Sequence, residues 1–500
     1  MMPQGPRDPK SRALIVALVL LAAVVLRGVF FLRFDESYFD SDQAIVGLMA
    51  KHLLEGRAFP LFFYGQEYML GVESWVMAPV FAVFGPSVFA LRLTMVLLNA
   101  VTTLTLWWLL VRDARLHPWL AALAAAPFAL APFITAAHLV EAQGGNVEPF
   151  LWVLVAWLLR DKPLGLGAAM AIAFLHREFS LYALPALLLL QFAEARGRLA
   201  PLIRPWALTA FAFVAVFQGV NALKPHADLM GPASAGVPVS PGSTDQGNVT
   251  QLLARANVKA DALPTRFRAL VTEYLPMIVG LQGFRPNFLS IGSDAHVGWQ
   301  ELLPVAAGLA GILLIWWSID LARRRSLAGL SFPMYLVIVG LEAGVAYALT
   351  RDLSMFTFRY GLLALFLPIG FAALVMQESR PTALRATGAA LFGLLTAAAL
   401  VDHVTVLQRA SFAPPPPRFV PLAQKLEERG VHLARAGYWR SYVVTFLTQE
   451  RVIVASNEIQ RIREYQLMAD GASDGVVTIQ ETPCHNQRPF DVVGPWHLCQ

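Results

Sequence analysis

Long apolar runs separated by short polar ones dominate the pattern of this 500-residue chain. A run of about 17 to 25 mostly apolar residues is long enough to cross a bilayer as a helix. Runs near this length lie at 13–32, 88–111, 118–137, 147–160, 205–222, 301–319, 331–349, 360–377 and 384–402. The longer run 164–193 contains His176, Arg177 and Glu178 at its centre, which favours two short helices meeting in a turn. The pattern predicts a polytopic α-helical membrane protein with about eleven transmembrane helices.

The basic residues of the short loops fall on one side of the membrane when the chain crosses it about eleven times. The clusters lie at 7–12, 112–115, 160–162, 196–204, 323–325 and 380–385. Because cytoplasmic loops carry the excess of Lys and Arg, the N-terminus is predicted to be cytoplasmic. The first span is then predicted to be an uncleaved membrane anchor. A cleaved signal peptide is the alternative, but Arg27 and the length of the apolar run argue against it.

Three segments are then predicted to lie outside the cytoplasm: loop 33–87, loop 223–300 and the C-terminal segment 403–500. Loop 223–300 is rich in Gly, Pro and Ser, which is typical of a mobile insert. Residues 1–402 form the predicted membrane domain, 403–420 a Pro-rich linker and 421–500 a small soluble α/β domain. Cys484 and Cys499 both lie in that domain and are predicted to form a disulfide in an oxidising compartment.

Composition supports the membrane assignment and excludes one class of partner. The chain is 56% hydrophobic and 15% charged, with a net charge of +5. Soluble domains are about 45–50% apolar and about 25% charged. In a membrane protein the basic excess anchors topology, so we do not predict nucleic-acid binding.

Acidic residues crowd the start of the first outer loop: Asp35, Glu36, Asp40 and Asp42. From Asp42 to Leu53, apolar residues recur at helical spacing, which predicts an amphipathic helix lying along the membrane interface. Asp42 stands where an N-cap would. A cap alone does not explain the other carboxylates, which together predict a polar cavity at the outer surface.

Two further stretches complete a recognisable order of features: "FRYGLL" from Phe358, and "GYWRSYVVTFLTQERVIVAS" from Gly437. With the long first span, the acidic loop and the stretch "FPLFFYGQEYMLGVESWV" from Phe59, this order resembles the membrane glycosyltransferases of the GT-C fold. The most similar branch is family 39-like, with protein O-mannosyltransferases and the aminoarabinose transferase of lipid A. Its loop typically begins Asp-Glu, whereas this chain has Asp42-Gln43.

The resemblance implies a hexosyltransferase-type reaction at the outer face of a bacterial-type cytoplasmic (inner) membrane. A sugar carried on polyprenyl phosphate would pass, with inversion, to a hydroxyl of a lipid, glycan or protein acceptor, while the C-terminal domain lies in the periplasm or outside the cell. An outer-loop carboxylate would act as general base. Asp42 is the expected base, and Asp40 is the alternative.

The departing lipid phosphate needs positive charge, which Arg supplies best. The predicted candidates are Arg359, Arg177 and Arg351. Arg359 could instead anchor a span at the interface, and Arg177 could pair locally with Glu178.

The second outer loop reads "HLVEAQGGNVEPF" and offers further candidates. Gly144-Gly145 predicts a tight turn, flanked by Glu141 and Glu148, either of which could contact the acceptor. His138 and Glu141 could share a helix face, but two ligands are too few to define a metal site. The sequence therefore requires no cofactor and leaves a divalent metal open.

Two other classes compete with the enzyme: a lipid or sugar carrier (flippase), and a non-catalytic envelope assembly protein. Carriers place binding charges near the bilayer midplane and often contain internal repeats. Here the acids lie in loops, and an asymmetric soluble domain follows. This arrangement favours the enzyme.

Overall fold

The computed structural model describes residues 9–34, 36–224, 258, 260–281, 300–323, 331–377, 380–472, 475–484 and 488–500. Asp35 and most of loop 223–300 lie outside the described residues. The prediction that this loop is mobile therefore concerns residues that the structure does not describe. The part of the loop at 260–281 is largely helical.

Most predicted apolar runs correspond to a helix. The helices of the described residues are α1 (Pro9–Arg33), α2 (Ser41–Leu54), α3 (Val72–Phe84), α4 (Val88–Arg112), α5 (Pro118–Ala129), α6 (Phe133–Leu139), α7 (Glu148–Leu158), α8 (Pro163–His176), α9 (Ala183–Glu194), α10 (Ala200–Asn221), α11 (Leu263–Ala269), α12 (Leu275–Ile278), α13 (Leu303–Arg323), α14 (Phe332–Thr350), α15 (Met355–Phe358), α16 (Phe366–Met376), α17 (Thr382–Phe412), α18 (Val420–Glu428), α19 (Tyr438–Leu447) and α20 (Arg463–Gly471). A 3₁₀ segment, Arg359–Leu365, leads into α16.

Within the described residues, six helical segments are long and apolar enough to cross a membrane: α1, α4, α10, α14, Arg359–Met376 and α17. α5 and α6 meet at 77° and make a seventh if they count as one span. Pro132 lies at this break, and proline cannot donate the backbone hydrogen bond that a continuous helix needs. Shorter apolar helices include α7, α8 and α13. The prediction of a polytopic helical membrane protein is confirmed, while the count of eleven crossings stays a prediction.

The predicted turn inside run 164–193 is present. α8 ends at His176, and Arg177 is extended with φ −151° and ψ 124°. A 3₁₀ turn, Glu178–Tyr182, then leads into α9. The extended residue directs the Arg177 side chain toward the second outer loop, where it donates to the carbonyl of Gln143.

A small mixed sheet lies in the segment predicted as the C-terminal domain, residues 421–500. The strands of this sheet are β3 (Leu433–Ala436), β4 (Ile453–Ser456), β5 (Val477–Gln480), β6 (Pro489–Val493) and β7 (Trp496–Cys499). Strands β1 (Phe62–Phe63) and β2 (Gln66–Leu70) form a separate hairpin in the first outer loop. The order is β4-β3-β5-β7-β6, with β3 parallel to β4 and β5, and β7 antiparallel to β5 and β6. The predicted α/β character is confirmed.

A disulfide joins Cys484 to Cys499, with a sequence separation of 15 and a Cα–Cα distance of 5.8 Å. It ties the segment after β5 to the end of β7. A loop of this length restricts the unfolded chain by about 3 kcal/mol in the chain-entropy model.

The helix predicted after Asp42 is present as α2, but most of it is buried within the protein, including Gln43, Lys51 and His52; its position along the membrane interface stays a prediction. Both α3 and α19, the latter from the C-terminal domain, pack on α2. Gly47 permits the close approach of α19: a Cβ there would lie 2.5 Å from Phe446 Cε2. The covering helix is distant in sequence, so local periodicity could not reveal it.

The carboxylate of Glu450, whose side chain is only 8% exposed, joins the C-terminal domain to α2. Its Oε2 accepts from Lys51 Nζ at 2.6 Å. Its Oε1 accepts from Arg57 Nη2 at 2.5 Å and from the Tyr465 hydroxyl at 2.6 Å, and lies 3.1 Å from His52 Nε2. Burial by itself would raise the pKa of Glu450, but the hydrogen bonds from His52, Arg57 and Lys51 outweigh it and hold that pKa below its ordinary value.

We expect Glu450→Gln to destabilise the protein by about 3 kcal/mol, because several basic side chains lose a shared and largely buried partner. A lowered pKa stabilises the fold above the ordinary carboxyl pKa, and this contribution is lost as pH falls through the folded-state value. The difference in Tm between wild type and variant should therefore be full at neutral pH and shrink in acid.

Thermal unfolding in detergent at several pH values measures that difference. Glu427→Gln is the matched control, since the side chain of its partner Arg451 is 64% exposed. Exposed pairs of this kind contribute little to stability. Equal Tm values for the two variants at pH 7 would contradict the stabilising role of Glu450.

Candidate active site

A cavity of about 630 Å³ lies where the two outer loops meet the C-terminal domain. The residues of the membrane domain that line it include Asp40, Asp42, Glu141, Gln143 and Arg359. The opposite wall comes from the linker at 415–419 and from Trp439 and Arg440 at the start of α19. The acidic loop therefore opens into a cavity, as the sequence suggested.

The start of α2 presents two carboxylates to this cavity. Asp40, not Asp42 as predicted, is the N-cap residue, and its Oδ1 accepts from the backbone N–H of Gln43 at 3.1 Å. This bond satisfies one of the free donors of the first helical turn. Asp42 lies in that turn, and both side chains line the cavity.

Gln43 stands where the GT-C branch has its second acid. Its side chain is buried, and its Nε2 donates to the carbonyl oxygen of Tyr38 at 2.6 Å. Tyr38 has a positive φ of 65°, which shapes the turn leading into Asp40. An ionised carboxylate could not donate this bond, so glutamine serves here in local structure.

The amide of Gln143 connects Asp40 to Arg359. Its Nε2 donates to Asp40 Oδ2 at 2.6 Å, and its Oε1 accepts from Arg359 Nη1. Arg359 Nη2 lies 3.7 Å from Asp42 Oδ2. The guanidinium is thus paired directly with one carboxylate and connected to the other through an amide.

The surroundings of Asp40 suit it to hold and release a proton near neutral pH. Burial, followed by the negative charges of Asp42 and Glu141, raises the pKa of Asp40 to about 7. A general base works best when its pKa lies near the operating pH. The neighbours of Asp42 are different: Arg359 and a tyrosine hydroxyl contact its carboxylate directly.

That hydroxyl belongs to Tyr438, at the first position of α19, which donates to Asp42 Oδ1. Its backbone carbonyl accepts from Ser41 Oγ at 2.5 Å. Tyr438 is 1% exposed. The C-terminal domain therefore contributes a donor to the acidic part of the cavity.

The second outer loop is folded so that Gln143 faces Asp40. Gly144 and Gly145 have φ values of +78° and +111°, which confirms the predicted turn. Their backbone N–H groups donate to Glu73, at 2.7 Å from Gly144 and 2.6 Å from Gly145. Arg177 Nη2 donates to the carbonyl of Gln143 at 3.0 Å. Glu73 and Arg177 thus stabilise the conformation of this loop through its backbone groups.

Three of the predicted site residues lie outside the lining of the cavity. Arg177 supports the loop as described, and Arg351 lies over the ring of Tyr360, 4.9 Å from its centroid. Glu148 is buried, and its carboxylate accepts from the backbone N–H of Val147 at 3.2 Å. Of the three predicted arginines, the structure brings only Arg359 into contact with the acidic residues of the cavity.

His138 and Glu141 line the cavity together. Nδ1 of His138 lies 2.8 Å from Glu141 Oε2, and its ring stacks on Phe358 at 5.1 Å. Among the described residues, no group of three or more His, Cys, Asp or Glu side chains is arranged to hold a metal ion. A metal requirement stays open.

Sequence reasoning missed Gln143 and Tyr438. Gln143 adjoins the Gly-Gly turn, but an amide carries no acid–base signal. Tyr438 lies in "GYWRSY", a stretch that the resemblance covered without giving it a role. Both are recognisable only by what they contact.

Together, the helical membrane domain, the acidic outer loop and the mixed-sheet C-terminal domain define a GT-C-like fold. A solved structure that shares it is ArnT, the aminoarabinose transferase, from Cupriavidus metallidurans bound to undecaprenyl phosphate. That match has a TM-score of 0.52 and 12% identity, and covers 94% of this chain and 90% of ArnT. The apo form of ArnT gives a TM-score of 0.49, with 91% and 88% covered.

No protein-family model matches the sequence, and no curated protein is significantly similar to it. The resemblance in fold that the sequence suggested is confirmed. At 12% identity the structural match establishes the fold alone. The activity has to be argued from the site, because one fold can host many functions.

Proposed function

We propose that this protein is a glycosyltransferase that moves a sugar from a polyprenyl-phosphate donor to an acceptor hydroxyl at the outer face of the cytoplasmic membrane. The observation that carries the proposal is a cavity in which Asp40 and Asp42 lie beside Arg359, positioned by a GT-C-like fold. The structurally similar ArnT was crystallised with undecaprenyl phosphate, which supports a donor of this class.

In the proposed reaction the acceptor oxygen attacks the anomeric carbon, and the bond from that carbon to the phosphate oxygen breaks. The phosphate leaves with the electron pair, and the acceptor proton passes to a carboxylate. We assign the base to Asp40, because its pKa of about 7 matches this task. The sequence alone favoured Asp42 as the base, so the order of the two candidates is reversed.

Arg359 has the complementary role. Its guanidinium would neutralise charge on the departing phosphate, for which Arg is suited by its charge and its fork of N–H donors. Asp42 lies 3.7 Å from it and would hold it in place. The two carboxylates would therefore act differently although they lie close together in the sequence.

The proposed orientation places the C-terminal domain outside the cytoplasm. The Cys484–Cys499 disulfide supports it, because disulfides persist in oxidising compartments. The basic loops predicted from the sequence support the same orientation.

The test uses purified protein in liposomes, a panel of polyprenyl-phosphate sugars and a membrane extract as acceptor. We expect acceptor-dependent release of free polyprenyl phosphate from at least one donor. Movement of a donor between leaflets without release would instead identify a carrier. A donor without acceptor extract and liposomes without protein are the controls.

A further inference from the structure

Tyr438 shares the carboxylate of Asp42 with Arg359. The tyrosine hydroxyl donates to Oδ1, while Oδ2 lies 3.7 Å from Arg359 Nη2. The tyrosine comes from the C-terminal domain and the arginine from the membrane domain. Asp42 thus has one partner from each domain.

Contacts on several sides fix the position of Tyr438. Its backbone N–H donates to Glu458 Oε2 at 3.0 Å, and its carbonyl accepts from Ser41 Oγ at 2.5 Å. The guanidinium of Arg461 lies 5.8 Å from its ring centroid, and the ring of Tyr442 packs edge-on at 5.7 Å. The hydroxyl is therefore held in place before any ligand binds.

The Tyr438 hydroxyl acts as a donor at physiological pH. Burial, followed by the charge of Asp42, raises the pKa of Tyr438 above its ordinary value. The hydroxyl consequently stays protonated, and its proton points to Asp42.

A carboxylate with both oxygens free tends to pair with an arginine through two parallel N–H···O bonds. Such pairing would occupy two donors of Arg359 and turn its fork toward Asp42. The Tyr438 hydroxyl occupies one oxygen of Asp42 and so leaves Arg359 a single partner on that residue. N–H groups of the guanidinium are then available to a phosphate in the cavity.

We infer that Tyr438 is a positioning residue: by occupying Asp42 Oδ1, it prevents a two-bond pairing of Arg359 with Asp42, so that the guanidinium keeps N–H groups for the phosphate of the lipid donor. The inference rests on the function proposed above. It makes the C-terminal domain part of the donor site.

The experiment measures the Kd of undecaprenyl phosphate for the purified full-length protein in detergent. Tyr438→Phe keeps the ring and removes the hydroxyl, and we expect it to weaken binding about tenfold, corresponding to about 1.4 kcal/mol. Tyr335→Phe is the matched control: it removes the hydroxyl of another buried tyrosine, which donates to the carbonyl of Val153 at 2.8 Å and lies outside the lining of the cavity. Its Kd should equal that of wild type.

A double-mutant cycle separates positioning from a general structural effect. Asp42→Asn removes the competitor for Arg359, so adding Tyr438→Phe to it should change Kd by less than about twofold. A purely structural role would instead give the same tenfold loss in both backgrounds. Tm values for all four proteins show whether the fold is retained.

The outcomes are distinguishable. Wild type with no measurable affinity for undecaprenyl phosphate would overturn the proposed donor class. Wild-type binding with an unchanged Kd for Tyr438→Phe would overturn the positioning role alone. A tenfold loss that persists in the Asp42→Asn background would also overturn it.

Discussion

Asp40→Asn is expected to lower kcat by about 10³-fold, within the range that a general base contributes. Asparagine still caps α2 and fits the same space, but it cannot accept the proton of the acceptor hydroxyl. The donor KM should change little, because Arg359 keeps its ion pair with Asp42. Initial rates of polyprenyl phosphate release, with donor and acceptor varied in turn, give both constants.

The pH dependence provides an independent check on the base. The base must be deprotonated to act, so wild-type kcat/KM should rise with pH and level off above about 7. Asp42→Asn removes a negative neighbour that raises the pKa of Asp40, so its rising limb should move to lower pH. Loss of turnover in Asp42→Asn, with the limb intact in Asp40→Asn, would assign the base to Asp42.

Arg359→Ala is expected to lower kcat/KM by about 10²- to 10³-fold, because the leaving phosphate loses its charged hydrogen-bond donor. Arg359→Lys should recover only part of this loss, since an ammonium lacks the planar fork. The affinity for undecaprenyl phosphate should fall in parallel. Steady-state rates and equilibrium binding measure the two effects.

Arg351→Ala is the control for the Arg359 variants. Arg351 is also predicted from the sequence as a phosphate ligand, yet it lies over Tyr360 and outside the lining of the cavity. We expect near-wild-type kinetics. Equal losses for Arg351→Ala and Arg359→Ala would contradict the assignment of the phosphate to Arg359.

The membrane domain could largely be predicted from the sequence because the bilayer imposes a length on every span and forbids unpaired backbone groups. The carboxylates of the first loop could be found for a related reason: charges beside long apolar runs require an explanation. Which of the two aspartates is better suited to be the base could not be predicted, because the pKa of Asp40 depends on Asp42 and on Glu141 in another loop. The sequence shows which charged residues are present but not how they are arranged in space.

The contacts between the residues of the cavity could not be predicted from local sequence patterns, because they join residues that are far apart in the chain. Gln143 and Asp40 are 103 positions apart, Arg359 and Gln143 are 216 apart, and Tyr438 and Asp42 are 396 apart. The same separation explains why the burial of α2 was not predicted. Its helical spacing was interpreted correctly, but the local pattern could not show that α19 of the C-terminal domain packs on it.

The length of α17 bears on how two very different substrates could meet. The helix has 31 residues. At the α-helical rise per residue it makes a rod of about 46 Å. The hydrocarbon core of a bilayer is only about 30 Å thick. The helix is therefore longer than the core is thick by roughly 16 Å.

The linker that follows α17 lines the cavity, so the cavity lies near the end of this long helix. Under the proposed function, this excess length would let an isoprenoid tail stay dissolved in the bilayer while an acceptor approaches from the aqueous side. Neither substrate then has to enter the other's solvent.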